Sequence, residues 1–300
     1  MSAGPVPPPA LHRIPANTQT LGEGMPIRRA MPTRERRMVG PWCFLDHFGP
    51  VDVSRTQGMR VGPHPHIGLQ TVTWLYEGVV LHRDSLGYLQ AIRPGQLNLM
   101  TSGQGISHSE ESPAERPAGL HGVQFWIALP EAARNGAPAF DHYPQLPALR
   151  HEGLECTVLV GSALGATSPA RMHWPVMGVD VRIESGATDA SFPLDPEFEH
   201  ALVVTQGRVE VEGELLEPGT LLYLGGQRDR VRLQATDAAR LAVVGGRAFE
   251  EPMLMWWNFV ARSKQELSAA CSEWNRADPK FGEVTGYDGD RLHAPMPPWG

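Results

Sequence analysis

A chain of 300 residues is long enough for two domains of ordinary size, each able to bury a core without disulfide staples. Its 32 Gly and 28 Pro exceed the share of an average domain, roughly 12%, and disfavour long helical bundles, because Gly costs about 1 and Pro about 3 kcal/mol inside a helix. A formal net charge of −7 is the wrong sign for a whole-surface nucleic-acid binder, and no window reaches the roughly 18 apolar residues of a membrane span.

Residues 1–22 are Pro-rich and weakly patterned, an arm either flexible or packed over the first domain. Their start, MSAGPVPPP, lacks the charged and apolar regions of a signal peptide. Residues 28–37, RRAMPTRERR, read as a solvated strand or loop whose arginines pair with the surplus carboxylates. From about 40 to 130, short apolar runs follow one another at 69–75, 79–82, 88–92, 97–100 and 122–129, split by turns bearing Gly and Pro. Many short strands at that spacing predict a sandwich or jelly-roll barrel. Residues 131–170, rich in Ala, Gly and Pro, read as a connection, with the domain boundary near 140. Strands resume at 176–183, 200–205, 208–212, 220–224, 231–233 and 241–244, so the expected domains are 1–140 and 141–300. A weak repeat agrees: Tyr76-Glu-Gly78 with Arg93-Pro-Gly95 recurs as Thr205-Gln-Gly207 with Glu217-Pro-Gly219, each bracketing a hairpin whose turn needs glycine. Ser263, with Glu266 three residues on, is a capping-box start for the one helix expected, 263–274, in the second domain. The Pro-rich tail, 294–300, is expected along the surface.

Cys43, Cys156 and Cys271 are an odd number, far apart and without C-x-x-C. Neither a disulfide framework nor a thiolate zinc site is written here, and a reducing cytoplasm is the expected compartment. Histidine is unevenly spread: His47, His64, His66, His82, His108 and His121 are half of the 12. In Gly62-Pro-His64-Pro-His66 two imidazoles stand two residues apart, as do an imidazole and a carboxylate in His108-Ser-Glu110. Strand side chains alternate faces, so each pair points to one side, and two neighbouring strands can bring three imidazoles and a carboxylate to one point. That donor set suits Fe2+, Mn2+, Ni2+, Cu2+ or Zn2+ better than Ca2+ or Mg2+, and leaves open positions for substrate and, on a redox-active metal, dioxygen. Pro65 cannot donate to a ladder and sets its strand at an edge or bulge. His82 reads as a turn residue with Asp84, His121 as core and His47 as fixing a loop. No G-x-S-x-G, P-loop or dinucleotide fingerprint supports a hydrolase or nucleotide enzyme.

The stretches Arg28-Arg-Ala30, Arg34-Glu-Arg36, Gly40-Pro-Trp-Cys-Phe-Leu-Asp-His-Phe-Gly-Pro50, Pro63-His-Pro-His-Ile-Gly-Leu-Gln-Thr-Val-Thr73, His82-Arg-Asp-Ser-Leu-Gly87, Gly105-Ile-Ser-His-Ser-Glu110 and Gln124-Phe-Trp-Ile-Ala-Leu-Pro130 resemble the pirin family of two-domain cupins. Trp257-Asn-Phe-Val260 followed by a helix resembles it more weakly. The resemblance implies an all-β chain of two jelly-roll cupin barrels in tandem with a short C-terminal helix. It also implies an Fe2+ in the N-terminal barrel, held by His64, His66, His108 and Glu110. In ordinary cupins a glutamate follows H-x-H after three or four residues; Gln70 and Thr71 stand there, and the carboxylate has moved to Glu110, as pirins have it. Aligning the weak repeat puts Pro193 and Asp195 at the places of His64 and His66, so the second barrel is expected to be metal-free and His200 structural.

The resemblance further implies quercetin 2,3-dioxygenase-like activity on a small aromatic substrate, a flavonol, and O2, with Glu110 as ligand and as base for the flavonol proton. Its alternative is an iron-dependent, redox-sensing regulator that binds a protein partner without turnover. Neither needs direct contact with nucleic acid or membrane. A zinc or nickel enzyme such as a sugar-phosphate isomerase is a third reading, which metal analysis separates.

Overall fold

The protein is described by a computed structural model over residues 10–299; residues 1–9, where the expected arm begins, and Gly300 lie outside the described residues. The punctuated apolar runs form strands, and the all-β expectation holds. Contacts divide the chain into two compact units. Among the described residues, the first barrel takes in Thr18–Arg29, Cys43–Gln145 and residues 249–299; the second takes in residues 10–17, Ala30–Trp42 and Leu146–Ala248.

In the first barrel a seven-stranded sheet runs in the order Ala139–Tyr143, Leu97–Thr101, Leu69–Glu77, Gly119–Ala128, Trp42–Asp52, Met25–Met31, Asn17–Leu21. A four-stranded sheet runs Arg60–His66, Ile106–Glu111, Val80–Asp84, Leu89–Ile92. The second barrel repeats that four-strand order as Thr188–Pro193, Arg230–Ala235, Val209–Val211, Glu214–Leu216, beside an eight-stranded sheet. Strands remote in sequence are neighbours, as in a jelly roll. The repeat glycines Gly78, Gly95, Gly207 and Gly219 all have positive φ, between 71° and 93°, a region glycine enters without a Cβ clash.

Several expectations are corrected. The arm is sheet where described: His12–Pro15 pairs with Thr220–Tyr223, and Asn17–Leu21 forms an edge. The connection at 131–170 contains the short helix Glu131–Arg134 and the strands Ala139–Tyr143, Ala148–His151 and Leu154–Ala163. Its Ala and Gly content hid a core segment, for Leu154, Cys156, Val158 and Val160 are all buried. The expected helix is present at Lys264–Asn275, but it packs with the first barrel rather than the second. Leu267, Ala270, Cys271 and Trp274 form its one apolar face and need a partner, supplied by Phe259, Phe281 and Ala294. Ser263 Oγ accepts from Glu266 N at 3.2 Å, while Glu266 returns its bond to Arg262 N at 3.0 Å, one residue before the usual box. The tail lies along the surface as expected, with Met296 and Trp299 exposed, and is held where Trp274 Nε1 and Asn275 Nδ2 donate to the carbonyls of Leu292 and Ala294. Among the described residues no helix is long and apolar enough to cross a membrane.

Candidate metal centre

Arg60–His66 is the edge of its sheet and pairs antiparallel with Ile106–Glu111, placing His64 directly opposite His108 and Pro65 opposite Ser107. The register then shifts, so that Glu110 meets Val61; the extra residue lies on the strand carrying Gly62-Pro63. This register gathers the histidines. One ring nitrogen from each of His64, His66 and His108 lies within 4.8 Å of the others, and all three side chains are buried.

Hydrogen bonds fix two of the three rings. His64 Nδ1 donates to Gly62 O at 2.9 Å, and His66 Nδ1 donates to Asn258 O at 3.0 Å. A carbonyl only accepts, so both rings carry their proton on Nδ1 and leave Nε2 bare. His66 Nε2 faces His108 Nε2 at 3.0 Å. Burial, helped by the neighbouring imidazoles, holds the rings neutral: His64 is pushed down to about 4, and His66 and His108 lie well below the ordinary value. Neutral rings with converging lone pairs fit a divalent cation, and two nitrogens about 2.1 Å from one ion at a right angle stand about 3.0 Å apart. Trp126 sets its ring edge-on to His66, centroids 4.9 Å apart, and stacks on Phe44 at 3.8 Å, an apolar wall beside the cluster.

Glu110 stands outside the group of three. Its Oε1 accepts from Gln124 Nε2 at 2.7 Å, and burial raises its carboxyl above the ordinary range although that bond works the other way. Nearby in the barrel, Arg29 holds Asp46 through two bonds of 2.8 and 2.7 Å, so the RRAMPTRERR segment contributes a strand arginine paired with a buried carboxylate. Burial still raises Asp46 above the ordinary carboxylate range.

Of the other histidines, His82 partners Asp84 and His121 is buried, both as expected, while His47 differs. His82 bonds Asp84 Oδ2 through Nε2 at 3.0 Å, but its Nδ1 also lies 3.4 Å from His108 Nδ1. The signal for this was the H-x-D spacing in a strand whose register partner for His82 is Glu110. His47 lies in the strand Trp42–Asp52, not in a loop, and its Nε2 meets that of buried His121 at 2.8 Å. Gln124 and Asn258 carried no sequence signal, since their roles come from a contact between the two sheets and a backbone carbonyl. In the second barrel Phe192 and Leu194 face inward while Pro193 and Asp195 are exposed, so the repeat alignment slips by one residue there.

The family model described as pirin matches residues 24–127, and the one described as the pirin C-terminal cupin domain matches 178–282. A Pseudomonas aeruginosa protein, named as a proposed quercetin 2,3-dioxygenase, is 47% identical over 290 residues, covering 96% of this chain and 91% of its own. A pirin-like protein of Caulobacter vibrioides is 36% identical over 267 residues, 86% of this chain and 91% of its own. A crystal structure titled quercetin 2,3-dioxygenase from Acinetobacter baumannii matches with a TM-score of 0.93 at 45% identity, covering 96% of each chain. The chain therefore belongs to the pirin family, and its two barrels are cupin domains.

Proposed function

We propose that the protein is a metal-dependent dioxygenase of flavonols such as quercetin, working in the cytoplasm, with Fe2+ held by His64, His66 and His108 and with Glu110 as the fourth ligand. The observation that carries this reading is the convergence of three buried, neutral imidazoles on one point, two of them with Nε2 left bare by backbone carbonyls. Bound iron supplies the redox chemistry that lets dioxygen react with a flavonol. The chain's residues do the rest. Gly62 and Asn258 orient two of the histidines through their carbonyls, and Trp126 and Phe44 keep water from the cluster. Glu110 follows His108 on the same strand face, and its raised carboxyl makes it a competent acceptor for the flavonol hydroxyl proton once Gln124 yields it. The second barrel is assigned no metal, because Phe192, Leu194, Val231 and Leu233 offer no donor atom. The names carried by the Pseudomonas and Acinetobacter relatives support a quercetinase reading.

Iron-loaded protein given quercetin under air should consume oxygen and bleach the flavonol's visible band, and His108→Ala should abolish both. Bound iron without turnover would move the assignment to the redox-sensing regulator with a protein partner.

A further inference from the structure

We propose that Asp84 and His82 are positioning residues that set the tautomer of His108 and so keep its Nε2 free for a metal; this rests on the three-histidine reading above. Asp84 is pinned by its own turn, where Oδ1 accepts from the backbone N–H groups of Leu86 at 2.9 Å and Tyr88 at 3.1 Å. Its Oδ2 faces His82 Nε2 at 3.0 Å. A carboxylate accepts, so His82 carries its proton on Nε2. In the proposed relay His82 has one N–H, spent on Asp84, so its Nδ1 is the acceptor. That atom faces His108 Nδ1 at 3.4 Å, the long end of hydrogen-bond reach. His108 is therefore the donor between them, and its Nε2 is left bare, directed at His66 Nε2 3.0 Å away.

The three rings thus reach one tautomer by two routes. His64 and His66 are set by backbone carbonyls, His108 by a side-chain relay that ends on a carboxylate. The His82 ring plane is held independently, because Phe140 stacks on it with centroids 4.3 Å apart and 12° between planes. A partner that orients a ligating histidine in this way tunes both ring orientation and ligand basicity.

The test uses the full-length, metal-free protein, its His108→Ala, Asp84→Asn and His82→Phe variants, and the double variant Asp84→Asn/His82→Phe. Phe at 82 retains the stack on Phe140, and Asn at 84 retains an oxygen for the turn while able to present an N–H to His82. Fe2+ affinity is measured anaerobically in competition with a chromophoric chelator. Asp84→Asn and His82→Phe should each weaken binding by about 10–100-fold, and in the His82→Phe background Asp84→Asn should add nothing. Parent-like affinity in either single variant overturns the relay, as does an undiminished Asp84→Asn effect without His82, which would mark a turn defect.

The second readout, 15N NMR of the imidazoles in metal-free protein, should place the His108 proton on Nδ1 in the parent and move it to Nε2 in Asp84→Asn. If the parent and His108→Ala bind equally little Fe2+, the metal reading fails. The relay is then decided by the NMR alone, and an unchanged His108 tautomer sinks it.

Discussion

Arg60–His66 with Ile106–Glu111 in the first barrel, and Thr188–Pro193 with Arg230–Ala235 in the second, hold the same places in the same four-strand order. Their buried side chains differ: the first pair carries His64, His66, His108 and Glu110 beside the apolar Val61 and Ile106, whereas the second carries Ala190, Phe192, Val231 and Leu233. A jelly roll brings remote strand positions to one point whatever their side chains are. Apolar residues there close a core, each worth about 1.5–3 kcal/mol. Polar residues give up that gain and persist only where a partner satisfies them, as Gly62, Asn258, Asp84 and Gln124 do here.

The contrast can be broken by substitution. His66→Ala should have the largest effect, lowering iron affinity by at least about 100-fold, beyond the usual effect of losing a supporting partner. Elemental analysis after dialysis against a chelator reads it, and retained iron would remove the chemical distinction between the barrels. Phe192→Ala should cost about 3–5 kcal/mol of stability, seen in chemical denaturation, with metal content unchanged. A loss of metal in that variant would show that the second core is not independent of the site.

Acid should sharpen the comparison. In metal-free protein, His47 is held down to about 3 and His64 to about 4, with His66 and His108 also lowered, all chiefly by burial. Unfolded histidines take up protons near pH 6.5. These groups therefore cost the fold nothing above about pH 6.5, and stability falls as pH drops from there toward 4. The second barrel's fully buried histidine among the described residues is His200, pushed down to about 4 chiefly by burial. Hydrogen exchange across that window should expose Ile106–Glu111 before Arg230–Ala235. Simultaneous loss of protection would mean that buried histidines do not set the difference. The smallest effect is expected from Ser263→Ala, about 1 kcal/mol from the lost helix cap, measurable as a shift in thermal unfolding with iron content intact.

Much of this architecture was legible in sequence where local chemistry was strong. The runs at 69–75, 97–100 and 176–183 were apolar enough to read as strands, and Ser263 announced its helix. Trp42–Asp52 was not read as a strand because residues 42–49 are all buried, leaving no polar alternation to reveal a period of two. Leu154–Ala163 was hidden by its small residues and turn-like flanks. For the site, parity along a strand sufficed to pair His64 with His66 and His108 with Glu110. It carried no information about Gln124, which meets Glu110 from the other sheet.

Sequence alone determined the β-rich class, the repeat of two barrels and the residue types able to bind a metal, because these depend on composition and on spacing along one segment. Tertiary structure decided which barrel receives the C-terminal helix, that Glu110 lies against Gln124, and that His82 reaches His108. Those outcomes depend on register between strands far apart in the chain, where a shift of one residue turns every side chain to the opposite face.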